Sequence, residues 1–123
     1  DLVVTGTVAD VCPYLKHAAA VVAPLRVARG IQNKVLEAMA MAQPVVVERG
    51  CGEAVDAVPG RDFLLADSVQ DYVEQLDGLL GAPERCRAMG DDARRQILRR
   101  YSWEAHLAQI DRHLEAVQTQ ERK

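Results

Sequence analysis

The sequence predicts an α/β fold whose sheet is mostly parallel. Two short apolar runs, "AAVVAP" at 19–24 and "PVVV" at 44–47, are continuous rather than alternating, which is typical of strands covered on both faces. Longer segments with apolar residues at helical spacing lie between and after them. Because strands alternate with helices first and helices accumulate later, we expect a parallel sheet flanked by helices, with further helices at the C-terminus.

The elements of the first half are predicted from apolar runs and the residues that end them. Strands are predicted over 2–6, 19–24, 44–47 and 62–66. Asp10 can cap a helix whose first turn tolerates Pro13. A loop at 25–29 leads to a helix over 31–42, and the glycine-rich stretch 49–61 is predicted to be a loop with at most one helical turn.

Three helices are predicted in the second half. Ser68 caps the first, the second covers 82–101 with a break near Gly90, and Ser102 caps the third. The third helix carries apolar residues at alternating steps of four and three: Trp103, Leu107, Ile110, Leu114 and Val117. This spacing predicts a narrow apolar seam that docks against other structure.

Composition restricts the class of protein. The 123 residues suit one domain, and a net charge of −3 with 4% aromatic residues argues against a nucleic acid partner. No run of 18 apolar residues or signal peptide is visible, so no membrane span is expected. Because Asp1 leads directly into a predicted strand, we expect a fragment of a longer protein.

The cysteines and histidines predict neither a disulfide framework nor a metal site. The three cysteines are odd in number and widely spaced, which fits a reducing cytoplasm. Cys12 and Cys86 are expected to be small apolar residues in helices, and Cys51, between two glycines, to be exposed. Metal-type spacing is also absent from His17, His106 and His113.

The clearest candidate site is the stretch "PLRVARG" and the helix that follows it. In open α/β sheets ligands bind beyond the carboxyl ends of the strands, and this loop leaves such an end. Gly30 before the helix allows backbone N–H groups to approach an anion, which the helix dipole also favours. Cationic side chains surround this point: Arg26, Arg29 and Lys34. The stretch therefore predicts a diphosphate site.

Glu37 has two interpretations. In an amphipathic helix it is most simply a carboxylate on the solvent edge, and the pattern alone favours that. Alternatively, it faces the cleft two turns from the helix start and accepts hydrogen bonds from sugar hydroxyls. Two turns are roughly 11 Å, about the span from a diphosphate to the far side of a ribose.

The segment "TGTVADVCPYLKHAAAVVAPLRVARGIQNKVLEAMAMAQPVVV" resembles the C-terminal, donor-binding half of GT-B glycosyltransferases. The resemblance is to the retaining, family-four-like group that includes capsule and exopolysaccharide sugar transferases. "GIQNKVLEAMAMAQPVV" is similar to the family line "LEAMA.G.PVV", and "GRDFLLADS" and "RRYSWEAHL" resemble later family segments in the same order. The resemblance implies a Rossmann-like domain, half of a GT-B architecture.

The resemblance also implies roles for individual residues. Glu37 matches the glutamate that binds the ribose hydroxyls of the nucleotide sugar. The backbone at and after the glycine matches the diphosphate site, which here is Gly30, Ile31, Gln32 and Asn33. The loop near the nucleobase matches Thr7, Val8, Ala9, Asp10 and Val11. The family glutamate that contacts the donor sugar falls at Arg29, so no catalytic residue is assigned with certainty, and Arg29 could instead pair with phosphate.

The implied activity is transfer of a glycosyl group from a nucleotide diphosphate sugar to a glycan or lipid-linked acceptor, in polysaccharide biosynthesis. The nucleotide sugar is a substrate, and no cofactor or metal is expected. An N-terminal acceptor domain of the same protein would be missing, so residues 1–123 alone are expected to be inactive, and an exposed sheet edge would favour a homodimer. A cytoplasmic location is expected, with peripheral contact to the inner face of the membrane for the full-length protein.

Two other classes stay open at this point. A non-catalytic α/β interaction module, such as a receiver-like signalling domain, would need an acidic cluster at the strand ends, where the sequence instead places arginines and glycine. A sugar-phosphate epimerase of similar fold would need catalytic carboxylates and a histidine that the pattern does not place.

Overall fold

The computed structural model describes residues 1–27 and 30–121. Strands and helices alternate along the chain, as the sequence predicts. The strands in the described residues are β1 (Val21–Ala23), β2 (Val45–Val47) and β3 (Leu64–Leu65). The helices there are α1 (Cys12–His17), α2 (Asn33–Ala40), α3 (Arg49–Glu53), α4 (Val69–Leu80), α5 (Pro83–Arg100) and α6 (Trp103–Glu121).

The three strands form one parallel sheet in the order β1-β2-β3. Val21 lies opposite Val45, and Val46 lies opposite Leu64. All three valines of the central strand β2 are fully buried, because helices cover both faces of the sheet. The prediction of an α/β fold with a parallel sheet flanked by helices is confirmed.

Each face of the sheet has its own apolar core. On one face α2 and α5 pack over the strands, and the buried residues there include Val35, Met39, Phe63 and Ala93. On the other face α4 and the first half of α5 cover Val46 and Leu64, and the core includes Leu79 and Met89. Helix α5 therefore contributes to both cores, which fixes it firmly beside the sheet.

Two predicted helix caps are confirmed by hydrogen bonds. The Asp71 N–H donates to Ser68 Oγ at 3.1 Å, and the Ser68 N–H donates to Asp71 Oδ2 at 2.9 Å, which is a complete capping box at the start of α4. At the start of α6 the Ala105 N–H donates to Ser102 Oγ at 3.2 Å. The helical turn allowed within 49–61 is present as α3.

The predicted strand over 2–6 is wrong. Leu2, Val3 and Val4 are 94%, 77% and 85% exposed, and this segment pairs with no strand among the described residues. A β-branched run forms a strand only where a neighbouring strand completes its hydrogen bonds. The outer edge of β1 also has no partner strand within the described part of the chain.

The predicted break at Gly90 is also wrong, because α5 runs unbroken from Pro83 to Arg100. A Cβ atom at Gly90 would lie 2.7 Å from the carbonyl carbon of Ala42, just beyond the end of α2. The glycine therefore allows α5 and the end of α2 to approach closely, and this packing outweighs its low helix propensity.

Some predicted boundaries shift by one or two residues. The Asp10 carboxylate accepts the Cys12 N–H at 2.9 Å, but the N-cap of α1 is Val11, which makes no side-chain hydrogen bond. Asp10 therefore stabilises the turn before the helix. The prediction that Asp10 caps the helix is wrong. Pro13 lies in the first turn of α1 as expected.

Among the helices of the described residues, none combines the length and apolar character needed to cross a membrane.

Candidate functional site

The candidate site lies at the carboxyl edge of the sheet, where the three parallel strands end together. The loop after β1 leads to α2, Glu48 follows β2, and Asp67 lies two residues beyond β3. Helices α2 and α3 begin from this edge, so their N-terminal N–H groups and positive dipole ends lie there as well. This is the edge at which open α/β sheets bind ligands.

The start of α2 presents unsatisfied backbone groups to solvent. Gly30 is exposed and has a φ of +74°, in the left-handed region that glycine adopts without strain. Gln32 is the N-cap of α2 and makes no side-chain capping hydrogen bond. Its carbonyl accepts the N–H groups of Val35 and Leu36 at 3.0 and 3.3 Å, whereas the N–H groups of Asn33 and Lys34 have no acceptor within the helix. Ile31 is 44% exposed beside them.

Three charged side chains around this point are exposed: Arg26, Lys34 and Glu37. None of them makes a hydrogen bond or an ion pair with the described residues. Arg29, the position at which the family's sugar-contacting glutamate was expected, lies outside the described residues. The carboxylate and both cations are thus available to a ligand as far as the described part of the chain is concerned.

Glu37 is closer to the helix start than the sequence suggested. Helix α2 begins at Asn33, two residues later than predicted, because the N-cap residue Gln32 is extended. Glu37 lies four positions after Asn33, which corresponds to about 6 Å along the helix axis instead of 11 Å. The reach from the first free N–H groups to the carboxylate is therefore about one turn.

The predicted nucleobase loop, Thr7 to Val11, lies directly before α1. Val8 is half-buried and the other residues of the loop are exposed. The pKa of the Cys12 thiol, directly after this loop, is raised chiefly by its hydrogen bond and charge interaction with Asp10, and additionally by the charge of Glu37. The charge of Glu37 thus acts on the first residue of α1, directly after the loop.

The sequence reasoning missed three residues at the edge. The Glu48 carboxylate accepts the Gly50 N–H at 2.8 Å and caps α3. The Arg49 guanidinium donates to Asp67 Oδ2 at 2.7 and 3.0 Å, and joins the ends of β2 and β3. The available signal was their position directly after the predicted strands. Besides the arginines and glycine noted from the sequence, this edge thus carries two carboxylates, each of which is bonded within the fold.

Cys51 is fully buried, in contrast to its expected exposure, and Cys12 is exposed where a buried filler was expected. Helix α3 turns the Cys51 side chain inward, where Sγ lies 3.8 Å from the Leu25 carbonyl oxygen. Burial raises the pKa of this thiol, the charge of Glu48 raises it further, and Lys34 opposes the shift. Cys51 is consequently a packing residue beneath the loop after β1.

Metal coordination finds no support in the part of the chain that the structure describes. No group of three histidine, cysteine, aspartate or glutamate residues converges there. A groove of about 320 Å³ lies at the opposite, amino edge of the sheet, lined by Ala42, Pro44, Leu79, Pro83 and Cys86 among others. It does not adjoin the start of α2.

A model of a known protein family matches the chain. Residues 1–82 match the family model described as "Glycosyl transferases group 1". The match covers two thirds of the chain and includes the whole carboxyl edge, from the loop before α1 to the end of α4. No curated protein and no solved structure is similar enough to the chain to match.

Proposed function

The chain belongs to the group 1 glycosyltransferases, and from this membership we propose that it binds the nucleotide diphosphate of a sugar donor at the start of α2. The observation that carries the proposal is the combination of Gly30, the uncapped start of α2 and an exposed Glu37 about one turn further on. The receiver-like and epimerase alternatives have no comparable support.

The diphosphate would bind at Gly30, Ile31, Gln32 and Asn33. Backbone N–H groups without helical acceptors donate to phosphate oxygens, and the positive φ of Gly30 turns the chain without a side chain in the way. Arg26 and Lys34 are the nearest described cations, and Arg29 would add a third charge that pairs with phosphate. Together they would hold a doubly ionised group without a metal.

The nucleoside would occupy the space between α2 and the loop Thr7 to Val11. Glu37 accepts hydrogen bonds from the ribose hydroxyls, which is supported by its exposure and its lack of a partner among the described residues. The loop would contact the base, which is supported by the charge interaction of Glu37 with Cys12, the residue directly after the loop. The carboxylate then selects ribonucleotides over their deoxy counterparts.

The reaction that follows is glycosyl transfer to a glycan or lipid-linked acceptor, as in capsule or exopolysaccharide synthesis. The bond from the anomeric carbon to the diphosphate breaks, its electron pair leaves with the diphosphate, and an acceptor hydroxyl forms the new bond and loses its proton. The helix start and the cations stabilise the charge that develops on the departing diphosphate. We propose that a second domain of the full-length, cytoplasmic protein holds the acceptor, so that residues 1–123 bind donor without transferring sugar.

The test is titration of the 123-residue chain with UDP, GDP and ADP by ligand-observed NMR. We expect one of these diphosphates to bind and the matching monophosphate to bind more weakly. Glu37→Gln should weaken binding by roughly 1.5 to 3 kcal/mol, because it replaces a charged hydrogen-bond acceptor. That loss corresponds to about 10-fold to 150-fold in Kd.

A matched control and a nucleotide variant sharpen the test. Glu84→Gln changes an exposed glutamate in the first turn of α5 and should leave Kd unchanged. The 2′-deoxy diphosphate should bind the native chain more weakly than the ribonucleotide does, and this difference in Kd should shrink in Glu37→Gln. If no diphosphate binds the folded chain, the donor site is excluded. If Glu37→Gln weakens the binding of both nucleotides equally, the proposed contact between Glu37 and the ribose is wrong.

A further inference from the structure

A polar cleft lies between α5 and the turn that precedes β3. Its volume is about 310 Å³, and we call the residues that line it the arginine cleft: Arg61, Asp92, Arg95, Gln96 and Arg99. Arg61 comes from the turn, and the other four residues lie within two turns of α5. Because the turn is at the amino end of β3, the arginine cleft is at the opposite end of this strand from the proposed nucleotide site.

Arg61 is held in the cleft by a buried carboxylate. Its Nε and Nη2 atoms donate to the two oxygens of Asp62 at 2.8 and 2.9 Å. The Asp62 side chain is fully buried, whereas that of Arg61 stays 49% exposed. The hydrogen bond and the charge of Asp62 raise the pKa of Arg61, and the charge of Asp92 raises it further, which agrees with the position of Arg61 across from α5. The guanidinium is therefore fixed in place and still accessible from solvent.

Positive charge exceeds negative charge in the cleft. Arg61 forms an ion pair with Asp62, and Arg95 donates through Nη2 to Asp92. Arg99 donates instead to a neutral amide oxygen on the same helix. Three guanidinium groups thus share two carboxylates, and the cleft retains a net positive charge.

Each of the three guanidinium groups has further donors. A guanidinium carries five N–H donors. The bonds within the fold use Nε and Nη2 of Arg61 and Nη2 of Arg95 and Arg99. The three Nη1 groups are therefore available to a ligand as far as the described residues are concerned. The volume of the cleft is roughly ten times that of one water molecule, which leaves space for a small anion with some of its hydration.

We propose that the arginine cleft binds the phosphate group of a phosphate monoester, at a second anion site separate from the start of α2. A tetrahedral dianion accepts hydrogen bonds from more than one guanidinium at once. A ligand carboxylate carries a single charge and repeats the group that Asp62 and Asp92 already supply. The phosphate belongs either to a soluble ester or to a lipid headgroup, and the second test below distinguishes these sources.

The first test titrates the isotope-labelled 123-residue chain with glycerol phosphate and follows the N–H signals of the arginines by NMR. It is run at constant ionic strength and about pH 7.5, where the phosphate monoester is mostly a dianion. We expect saturable shifts at Arg61, Arg95 and Arg99. Arg95→Gln and Arg99→Gln should each raise the Kd at least about fivefold, because each removes a charged donor.

The control is Arg87→Gln. It removes the same charge from an exposed position of α5 that does not line the arginine cleft, and it should change the Kd less than about twofold. Equal losses in Arg87→Gln and Arg95→Gln would overturn the proposal, because they would indicate attraction to the overall charge of α5. Shifts confined to the start of α2 would overturn it as well.

The second test identifies the source of the phosphate by co-sedimentation with phosphatidylcholine vesicles that contain or lack phosphatidic acid. If only the vesicles with phosphatidic acid bind the chain, and Arg95→Gln but not Arg87→Gln weakens this binding, the ligand is a lipid headgroup. If glycerol phosphate binds in the cleft and neither vesicle binds, the ligand is a soluble phosphate ester. If neither glycerol phosphate nor phosphatidic acid is bound at the three arginines, the proposal is wrong.

Discussion

We call Gly90, Arg94 and Gln96 the α5 contact region. This region and the start of α2 both carry polar groups, but only the side chains of the α5 contact region form hydrogen bonds with the described residues. Gly90 packs against Ala42, the Arg94 guanidinium donates to the Ala40 carbonyl, and Gln96 Nε2 donates to the Asp56 carbonyl at 2.6 Å. At the other end of α2, Lys34 and Glu37 have no bonded partner among the described residues. The paired region holds the fold together, and the unpaired one is left available for a ligand.

The largest effect is expected at Gly90. Gly90→Ala should destabilise the chain by about 3 kcal/mol or more, because the new methyl group would collide with the Ala42 backbone, which cannot rotate away. Urea unfolding measures this. Gly78→Ala in α4 is the control: its Cβ would lie 3.6 Å from an Arg85 nitrogen, so the better helix former should stabilise by about 0.5 to 1 kcal/mol. Equal responses at both positions would show that close packing does not distinguish the α5 contact region.

A smaller loss of stability is expected from a substitution at Asp62, which is fully buried just before β3. Burial alone would raise its pKa. The hydrogen bonds from Arg61 and the Val58 N–H, with the charges of Arg61 and Arg99, outweigh this and lower it. Asp62→Asn should therefore cost about 2 kcal/mol at neutral pH.

The pH dependence of that loss follows from the direction of the pKa shift. A carboxylate with a lowered pKa stabilises the fold fully above its ordinary value, and the contribution disappears as pH falls through the folded-state pKa. The stability difference between the native chain and Asp62→Asn should be constant above about pH 4 and shrink below it. A difference that grows on acidification would contradict this account.

The smallest expected change is an increase in stability from a substitution at Ala42. This residue follows α2 and has a φ of +57°, although it is not glycine. Ala42→Gly should stabilise the chain by about 1 kcal/mol, because glycine adopts this left-handed conformation without strain. Thermal unfolding compares it with Ala40→Gly inside α2, which should destabilise by a similar amount. A loss at both positions would mean that the packed end of α2 is less strained than its dihedral angle indicates.

Much of the sheet could be predicted because its strands stand out as short continuous apolar runs, most clearly β2, which is buried on both faces. The same signal failed at Leu2–Val4, where the run has no neighbouring strand to pair with. Gly90 was misjudged because local propensity indicated a break, whereas a contact between residues 48 positions apart required glycine. The glycine of the family pattern "LEAMA.G.PVV" falls at Ala42 in this sequence. Because glycine commonly adopts a positive φ after a helix, the pattern could have indicated the left-handed conformation of Ala42.

The candidate site was predicted unevenly for physical reasons. Gly30 and the helix start could be found because a glycine before an amphipathic helix has a local meaning. Glu48, Arg49 and Asp67 were missed because their importance depends on the adjacency of β2 and β3, which bonds Arg49 to Asp67. The direction of the Cys51 side chain depends on how α3 turns, which no local pattern indicates.

The accessibility of the cysteines gives the molecule a built-in position for a spectroscopic label. Cys51 is buried and the Cys86 thiol donates to the Leu79 carbonyl at 3.1 Å, whereas Cys12 is exposed. Its raised pKa favours mildly alkaline labelling conditions, under which more of the reactive thiolate is present. A fluorophore at Cys12 would lie directly after the loop Thr7–Val11, so it would report on the proposed nucleotide binding in the native sequence, without an engineered cysteine.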